Sequence, residues 1–255
     1  MLDTPAVVSR LRAAGCVFAE DEADLLVAAA STPAELDSLV ERRVAGLPLE
    51  HLLGWAEFHG LRVVVRPGVF VPRHRTEFLV DVAVSLAPPD PVVLDLCCGS
   101  GALGAAFTAA VRPRELYAAD VEPAAVECAR VNLPGARVHQ GDLYDALPAS
   151  LSGRVDVLLA NVPYVPSEAV ATMPPEARLH EPLVALDGGA DGLDLARRVA
   201  AGAPRWLAPG GTVLIESSER QAPVLGRILA AAGLTSGVHE SDEQGATVVT
   251  GTAEI

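Results

Sequence analysis

The sequence predicts an α/β protein with an open, mostly parallel sheet of the nucleoside-binding kind, and three observations carry that expectation. Val92-Val93-Leu94-Asp95-Leu96 is a short apolar run of buried-strand type. It enters the turn Cys97-Cys98-Gly99-Ser100-Gly101, and a small-residue helix follows over 102–110. Leu116-Tyr117-Ala118-Ala119-Asp120 is a second such run, ending in an acid about 20 residues beyond the turn, where a nucleoside-binding sheet places its ribose partner. Further strand-like runs at 138–142, 155–160 and 212–216 alternate with helical stretches, the order that builds a parallel sheet.

Half of the 255 residues are apolar but only 4% are aromatic, so the core is built from Ala, Val and Leu. That length holds one large domain, or one medium domain with a small appendage. The net charge is −14 and the chain has no lysine. Such a surface argues against duplex nucleic acid and anionic membranes, which call for a basic stripe. No apolar run reaches transmembrane length and Met1-Leu2-Asp3 is unlike a signal-peptide start, so a cytoplasmic protein is expected. Cys16, Cys97, Cys98 and Cys128 lack Cys-x-x-Cys spacing, and the six histidines lack His-x-x-x-His spacing. Reduced thiols and no metal are expected, with His139 and His180 as loop or surface residues.

Residues 1–54 read as a helical N-terminal domain. Stretches 7–14 and 20–30 are rich in Ala, Leu and Val. A third helix has a clear start in Thr32 as N-cap, Pro33 at the first position and Glu35 three residues after the cap. Leu36, Leu39, Val40 and Val44 recur at helical spacing until Gly46 and Pro48 end the run, and 49–53 forms one more turn. Residues 55–90 read as a β-hairpin linker and lead-in helix. The hairpin is expected to pair 58–65 with 69–71 around Arg66-Pro67-Gly68, and the helix to span 78–86. Between them Arg73, Thr76 and Glu77 cluster where a loop becomes a helix. Pro88-Pro89-Asp90-Pro91 is the expected hinge into 91–255, the sheet domain.

In the sheet domain the glycines of the 97–101 loop let the backbone approach a ligand, and the helix behind it offers free N–H groups to a carboxylate. Asp120 suits the two ribose hydroxyls, Asp142 the exocyclic amine of an adenine, and Leu143 the ring face. A nicotinamide dinucleotide shares the strand–turn–helix–acid order. Against it, Asp95 stands four residues before the first loop glycine, where it orients the loop or meets a methionine amine. The run 155–160 then ends in Asn161-Val162-Pro163-Tyr164, just beyond the carboxyl end of a central strand. The Asn161 side chain and the Val162 carbonyl offer two acceptors, and Tyr164 a flat wall with a polar tip. That set suits a planar NH₂ group; the plainer reading is a strand exit with Tyr164 filling the core. Residues 165–175 form a proline-punctuated lid, Arg197-Arg198 a solvated helix face, and Val238 with 247–249 a closing antiparallel pair.

With these residues placed, the chain resembles the class I S-adenosylmethionine-dependent methyltransferases, and more narrowly the protein-(glutamine-N5) methyltransferases that modify peptide-chain release factors. The resemblance runs from His51 to Leu234. It includes Leu53-Gly54, Phe58-x-Gly60-Leu61, Pro67-Gly68-Val69-Phe70-Val71-Pro72-Arg73, Thr76-Glu77, the Asp95-to-Gly101 loop, Asp120, Gly141-Asp142 and Asn161-Val162-Pro163-Tyr164. It continues through His180-Glu181-Pro182, Ala185-Leu186-Asp187-Gly188-Gly189, Asp191-Gly192-Leu193 and Leu207-x-Pro209-Gly210-Gly211. Four positions depart from the family pattern: Val162 replaces a proline, Cys97 a glycine, and His74-Arg75 a Pro-Glu pair.

The resemblance implies a seven-stranded Rossmann-like sheet and S-adenosyl-L-methionine held by Asp95, Cys97, Cys98, Gly99, Ser100, Gly101, Asp120, Asp142, Leu143 and Asn161. It also implies catalysis by Asn161, Val162, Pro163 and Tyr164, with Phe70, Arg73 and Thr76 on the substrate side. The implied substrate is a glutamine amide in a protein such as a release factor. A small-molecule N-methyltransferase is the alternative; a DNA adenine methyltransferase fits the acidic charge poorly, and a non-catalytic cofactor-binding protein is the remaining reading.

Overall fold

The computed structural model describes residues 4–255; residues 1–3, read above as unlike a signal-peptide start, lie outside the described residues. Four helices open the chain: α1 (Thr4–Ala13), α2 (Ala19–Ala29), α3 (Pro33–Val44) and α4 (Leu49–Leu53). The Thr32 hydroxyl accepts the Glu35 N–H at 3.2 Å, and the Glu35 carboxylate accepts the Ser31 N–H at 2.8 Å, so the predicted cap forms. The helices pack about their own apolar cluster, including Leu11, Leu26, Leu36 and Val40.

The hairpin is present but shifted from the expected one. Strand β1 (Trp55–Phe58) pairs antiparallel with β2 (Leu61–Val64), and the turn falls at His59-Gly60, not at Arg66-Pro67-Gly68. Both turn residues have positive φ, 50° and 73°. That is the two-residue turn whose twist matches the flanking strands, so it outcompetes the Pro-Gly signal downstream. The Val65 N–H still bonds the Gly54 carbonyl at 3.1 Å, and residues 66–73, which include Phe70 and Arg73, run on outside any strand.

After α5 (Glu77–Leu86) come β3 (Val92–Leu96), α6 (Ala102–Ala110), β4 (Glu115–Asp120), α7 (Pro123–Asn132), β5 (Arg137–Gln140) and β6 (Val155–Ala160). Two short helices, α8 (Ser167–Val170) and α9 (Pro175–His180), punctuate the lid segment. Then follow α10 (Asp194–Trp206), β7 (Leu207–Ser217), α11 (Ala222–Ala231), β8 (Thr235–Ser241) and β9 (Ala246–Thr252). The seven strands lie in the order β5-β4-β3-β6-β7-β9-β8. The first five are parallel, and β9 pairs antiparallel with both β7 and β8. This is the α/β class I methyltransferase sheet that the sequence predicts. Strand β3 is buried along its whole length, Asp95 included, as a strand with helices on both faces requires. The chain turns from one side of β3 to the other between β5 and β6, so the crevice for a ligand opens at the carboxyl ends of β3, β4 and β6.

One side chain ties the hairpin to this crevice. The Asn132 amide donates to the Val64 and Ser100 carbonyls, both at 2.8 Å, and its oxygen accepts the Val64 N–H at 2.9 Å. Asn132→Ala leaves those three backbone groups unpaired. The expected loss is about 2–3 kcal/mol, read as a lowered urea midpoint with an unchanged slope.

Candidate active site

The turn after β3 is built on left-handed residues. Cys97, Gly99 and Gly101 have φ of 58°, 54° and 81°. A Cβ on Gly101 would stand 3.0 Å from a Leu133 methyl and 3.2 Å from the Ala129 Cα, so both its torsion and its packing demand glycine. Cys97 takes a similar torsion with a side chain attached, a strain of order 1–3 kcal/mol that the surrounding bonds must hold. They do: Cys98 N–H donates to Ala119 at 3.1 Å, Gly101 N–H to Cys98 at 2.7 Å, and Gly99 N–H to an Asp120 carboxylate oxygen at 2.8 Å. The other Asp120 oxygen accepts the Glu122 N–H at 2.9 Å. Burial raises the Asp120 pKa, against those two bonds.

Asp95 stands behind the loop, fully buried, and accepts the Gly104 N–H at 2.9 Å. Its second oxygen has no hydrogen-bond partner among the described residues. Burial pushes its pKa up to about 8, with Asp120 adding to the rise and the Gly104 bond opposing it.

A cavity of about 340 Å³ opens in front of the loop. The expected residues Cys97, Cys98, Gly99, Ser100, Asp120, Asp142, Leu143 and Asn161 line it, as do Val162, Pro163, Tyr164, Phe70, Arg73 and Thr76. Asp95 and Gly101 do not; they shape the loop from behind. Neither the Asn161 side chain nor the Val162 carbonyl makes a hydrogen bond among the described residues. Arg73 is held by both Glu181 oxygens at 2.7 Å and lies 4.8 Å over the Phe70 ring. The Thr76 hydroxyl is buried without a partner.

Four residues at the site escaped sequence reasoning. Arg198 is exposed, as expected of a solvated face, but it also lines the cavity and donates to Asp142 at 2.7 Å, while Arg197 pairs with Asp191 and Asp194. Two adjacent arginines on a helix point about 100° apart, so one can reach the cavity rim while the other pairs elsewhere. Arg75 donates to the Tyr164 phenol at 2.5 Å, and that phenol donates to Glu216 at 2.9 Å. A carboxylate at the end of the apolar strand 212–216 was the signal for Glu216. Gln221, which carried no signal, donates to the Tyr164 and Asp191 carbonyls at 3.0 and 2.9 Å.

Comparison with known proteins agrees with this architecture. The methyltransferase small domain model matches residues 60–180. The release factor glutamine methyltransferase of Streptomyces coelicolor is 41% identical over 189 residues, 72% of this chain and 67% of that protein. The chain belongs to the release factor glutamine methyltransferase family. A relative with a different activity is also similar: the 4-amino-L-phenylalanine/4-methylamino-L-phenylalanine methyltransferase of Streptomyces pristinaespiralis is 35% identical over 229 residues, 86% of this chain and 77% of that one. A methyltransferase from Pyrococcus furiosus shares the fold at TM-score 0.58 and 16% identity, over 77% of this chain and 90% of its own.

The family's methyl donor is S-adenosyl-L-methionine, and the residues present fit it. A strand-end loop with close-approach glycines, an acid at the end of β4 and an apolar residue at 143 supply what a nucleoside and an amino-acid tail require. Among the described residues no group of three metal-ligating side chains lies together, and no helix is long and apolar enough to cross a membrane.

The Asp95 carboxyl carries a pH signature. The native chain holds that proton up to about pH 8, whereas the unfolded chain releases it near 3.8. Between those values the native state binds more protons, so this group lowers stability as pH rises and is flat above pH 8. In cofactor-free protein, Asp95→Asn is expected to gain stability over wild type steadily from pH 5 to pH 8, read by urea unfolding; a constant difference across that range contradicts the assignment.

Proposed function

We propose that the chain transfers a methyl group from S-adenosyl-L-methionine to the side-chain amide nitrogen of a glutamine in a peptide-chain release factor. One observation carries the reading. Two adjacent acceptors, the Asn161 amide oxygen and the Val162 carbonyl, make no hydrogen bond among the described residues and belong to residues that line the same cavity as the glycine loop.

An amide nitrogen is a poor nucleophile because its lone pair is delocalised into the carbonyl. Two acceptors that take both N–H groups fix the plane of the amide and leave its nitrogen one direction of approach, which is the entropic share of catalysis. Tyr164 and Phe70 line the same cavity and supply flat apolar walls that keep competing water from the N–H groups. When bound, S-adenosyl-L-methionine supplies a methyl on a sulfonium sulfur; its transfer leaves a neutral thioether and releases one proton from nitrogen. On this reading Asp120 takes the ribose hydroxyls, Asp142 and Leu143 the adenine, and the Cys97-to-Ser100 turn the amino-acid tail. Arg198 fixes the Asp142 carboxylate at 2.7 Å. On this reading residues 91–255 hold the cofactor, residues 55–90 bring Phe70, Arg73 and Thr76 to the substrate side, and residues 1–54 form a separate helical domain. A release-factor substrate places the protein in the cytoplasm.

A small-molecule amine is the second reading. It is favoured by the amino-acid methyltransferase relative, which spans 86% of this chain, and by Arg75 where the resemblance leads one to expect glutamate. Incubation with labelled S-adenosyl-L-methionine and a release factor carrying Gly-Gly-Gln separates the two. Labelling mapped to that glutamine is expected; labelling of small amines alone overturns the release-factor reading. Asn161→Ala leaves one amide N–H unpaired, about 1–3 kcal/mol, so turnover is expected to fall by about tenfold to a hundredfold. Full turnover in that variant contradicts the mechanism.

A further inference from the structure

Tyr164, Arg75 and Glu216 stand at the junction of two cavities. They line the cofactor-side cavity and a second one of about 340 Å³ bounded by Ser217, Ser218, Glu240 and Thr247. The Tyr164 phenol is fully used: it accepts from Arg75 at 2.5 Å and donates to Glu216 at 2.9 Å. Glu216 is not. Its side chain is 4% exposed, one oxygen takes the phenol and lies 3.4 Å from the Arg75 Nε, and the other has no partner. Five buried side-chain atoms lack partners among the described residues, and three of them, on Thr76, Glu216 and Ser217, belong to residues lining these two cavities. A buried polar atom left unpaired is costly, and clustering at one place marks where a ligand completes the bonding.

Arg75 completes the set. Its side chain is half exposed, and its Nη1 makes no hydrogen bond among the described residues. The junction thus holds a fixed cation with free donors beside a buried carboxylate oxygen with a free lone pair. An α-amino-acid main chain matches both: its carbonyl or carboxylate oxygens suit the guanidinium, and its N–H or ammonium suits the carboxylate. We infer that Arg75 and Glu216 form a main-chain subsite that reads the amino-acid backbone of the substrate, while Asn161 and Val162 read its terminal NH₂. The inference rests on the proposed methylation of an amino-acid side-chain nitrogen and adds what holds the other end of that residue.

The chemistry is the same for a free amino acid and for a residue within a peptide, and binding separates the two. Calorimetric titration of the sinefungin-loaded protein compares L-glutamine with glutaramic acid, which lacks the α-amine, and with γ-aminobutyramide, which lacks the carboxylate. N-acetyl-glutamine N-methylamide serves as the peptide-like probe. Either L-glutamine or the blocked form is expected to bind at least about tenfold more tightly than both truncated amides. Arg75→Ala should abolish the discrimination against γ-aminobutyramide, and Glu216→Gln that against glutaramic acid, each leaving sinefungin affinity unchanged. Preference for L-glutamine assigns a free amino acid, and preference for the blocked form a peptide residue. Equal binding of whole and truncated amides, discrimination that survives both variants, or no binding of any probe overturns the subsite. Labelled-methyl transfer from S-adenosyl-L-methionine to a release factor carrying Gly-Gly-Gln, in sinefungin-free protein, is a separate readout: transfer with no discrimination among the probes sinks the subsite alone, and discrimination with no transfer sinks the proposed reaction alone.

Discussion

The Gly99 N–H donated to Asp120 is the bond on which the site depends. It joins the loop after β3 to the end of β4, and with the Cys98-to-Ala119 bond it holds three left-handed residues in a turn they would not keep alone. Asp95 acts from beneath, accepting from Gly104 in the first turn of α6. The loop is therefore clamped at both ends by carboxylates that are buried or nearly so. Carboxylates there are costly to ionise, and burial raises both pKa values. The fold accepts that cost because a backbone turn open to a ligand cannot be satisfied by sheet hydrogen bonds.

Most of the fold was legible because its signals are local. A strand, a glycine turn and a helix read off residues 92–110 in sequence, and the acids at 120 and 142 follow their strands. The cap at Thr32 formed as its chemistry requires. What was misread involved competition or distance. The hairpin turn went to His59-Gly60 because paired positive torsions fit a twisted ribbon better than Pro-Gly does, and only the pairing of Trp55 with Val64 reveals it. Arg75 to Tyr164, Tyr164 to Glu216 and Arg198 to Asp142 join residues 50 or more positions apart. No periodicity encodes such pairs.

An arginine ties the helical bundle to the lid segment. Arg43, only 10% exposed, donates to both Glu22 oxygens, at 2.6 and 3.1 Å, and its Nη1 donates to both the Leu47 carbonyl and Glu176 at 3.0 Å. Glu176 belongs to α9, and Glu181 at the end of that helix grips Arg73 and the Val71 N–H. A continuous chain of ionic contacts therefore runs from α2 through the lid segment to the loop that carries Phe70. A buried pair of this kind adds little net stability but fixes one arrangement, because each partner left alone would be a buried charge. The bundle thus bears on the cavity wall that carries Phe70 and Arg73, not on the glycine loop.

Val162 shows how a substitution in the proposed catalytic tetrapeptide is tolerated. Proline would fix φ at this position; valine does not. The backbone is instead held from outside. The Val162 side chain is buried in the main apolar cluster with Leu158, Leu193 and Ile215. A Cβ on Gly188 would stand 2.6 Å from the Pro163 carbonyl oxygen, and one on Gly192 2.2 Å from that of Tyr164, so a glycine loop lies directly against the segment. Gln221 then donates to the Tyr164 carbonyl. Packing and a hydrogen bond on three consecutive residues thus hold the segment from outside, in place of the torsional restraint of a pyrrolidine ring. The acceptor that matters is a main-chain oxygen, present in either residue. Its direction is set by packing that the tetrapeptide itself does not contain.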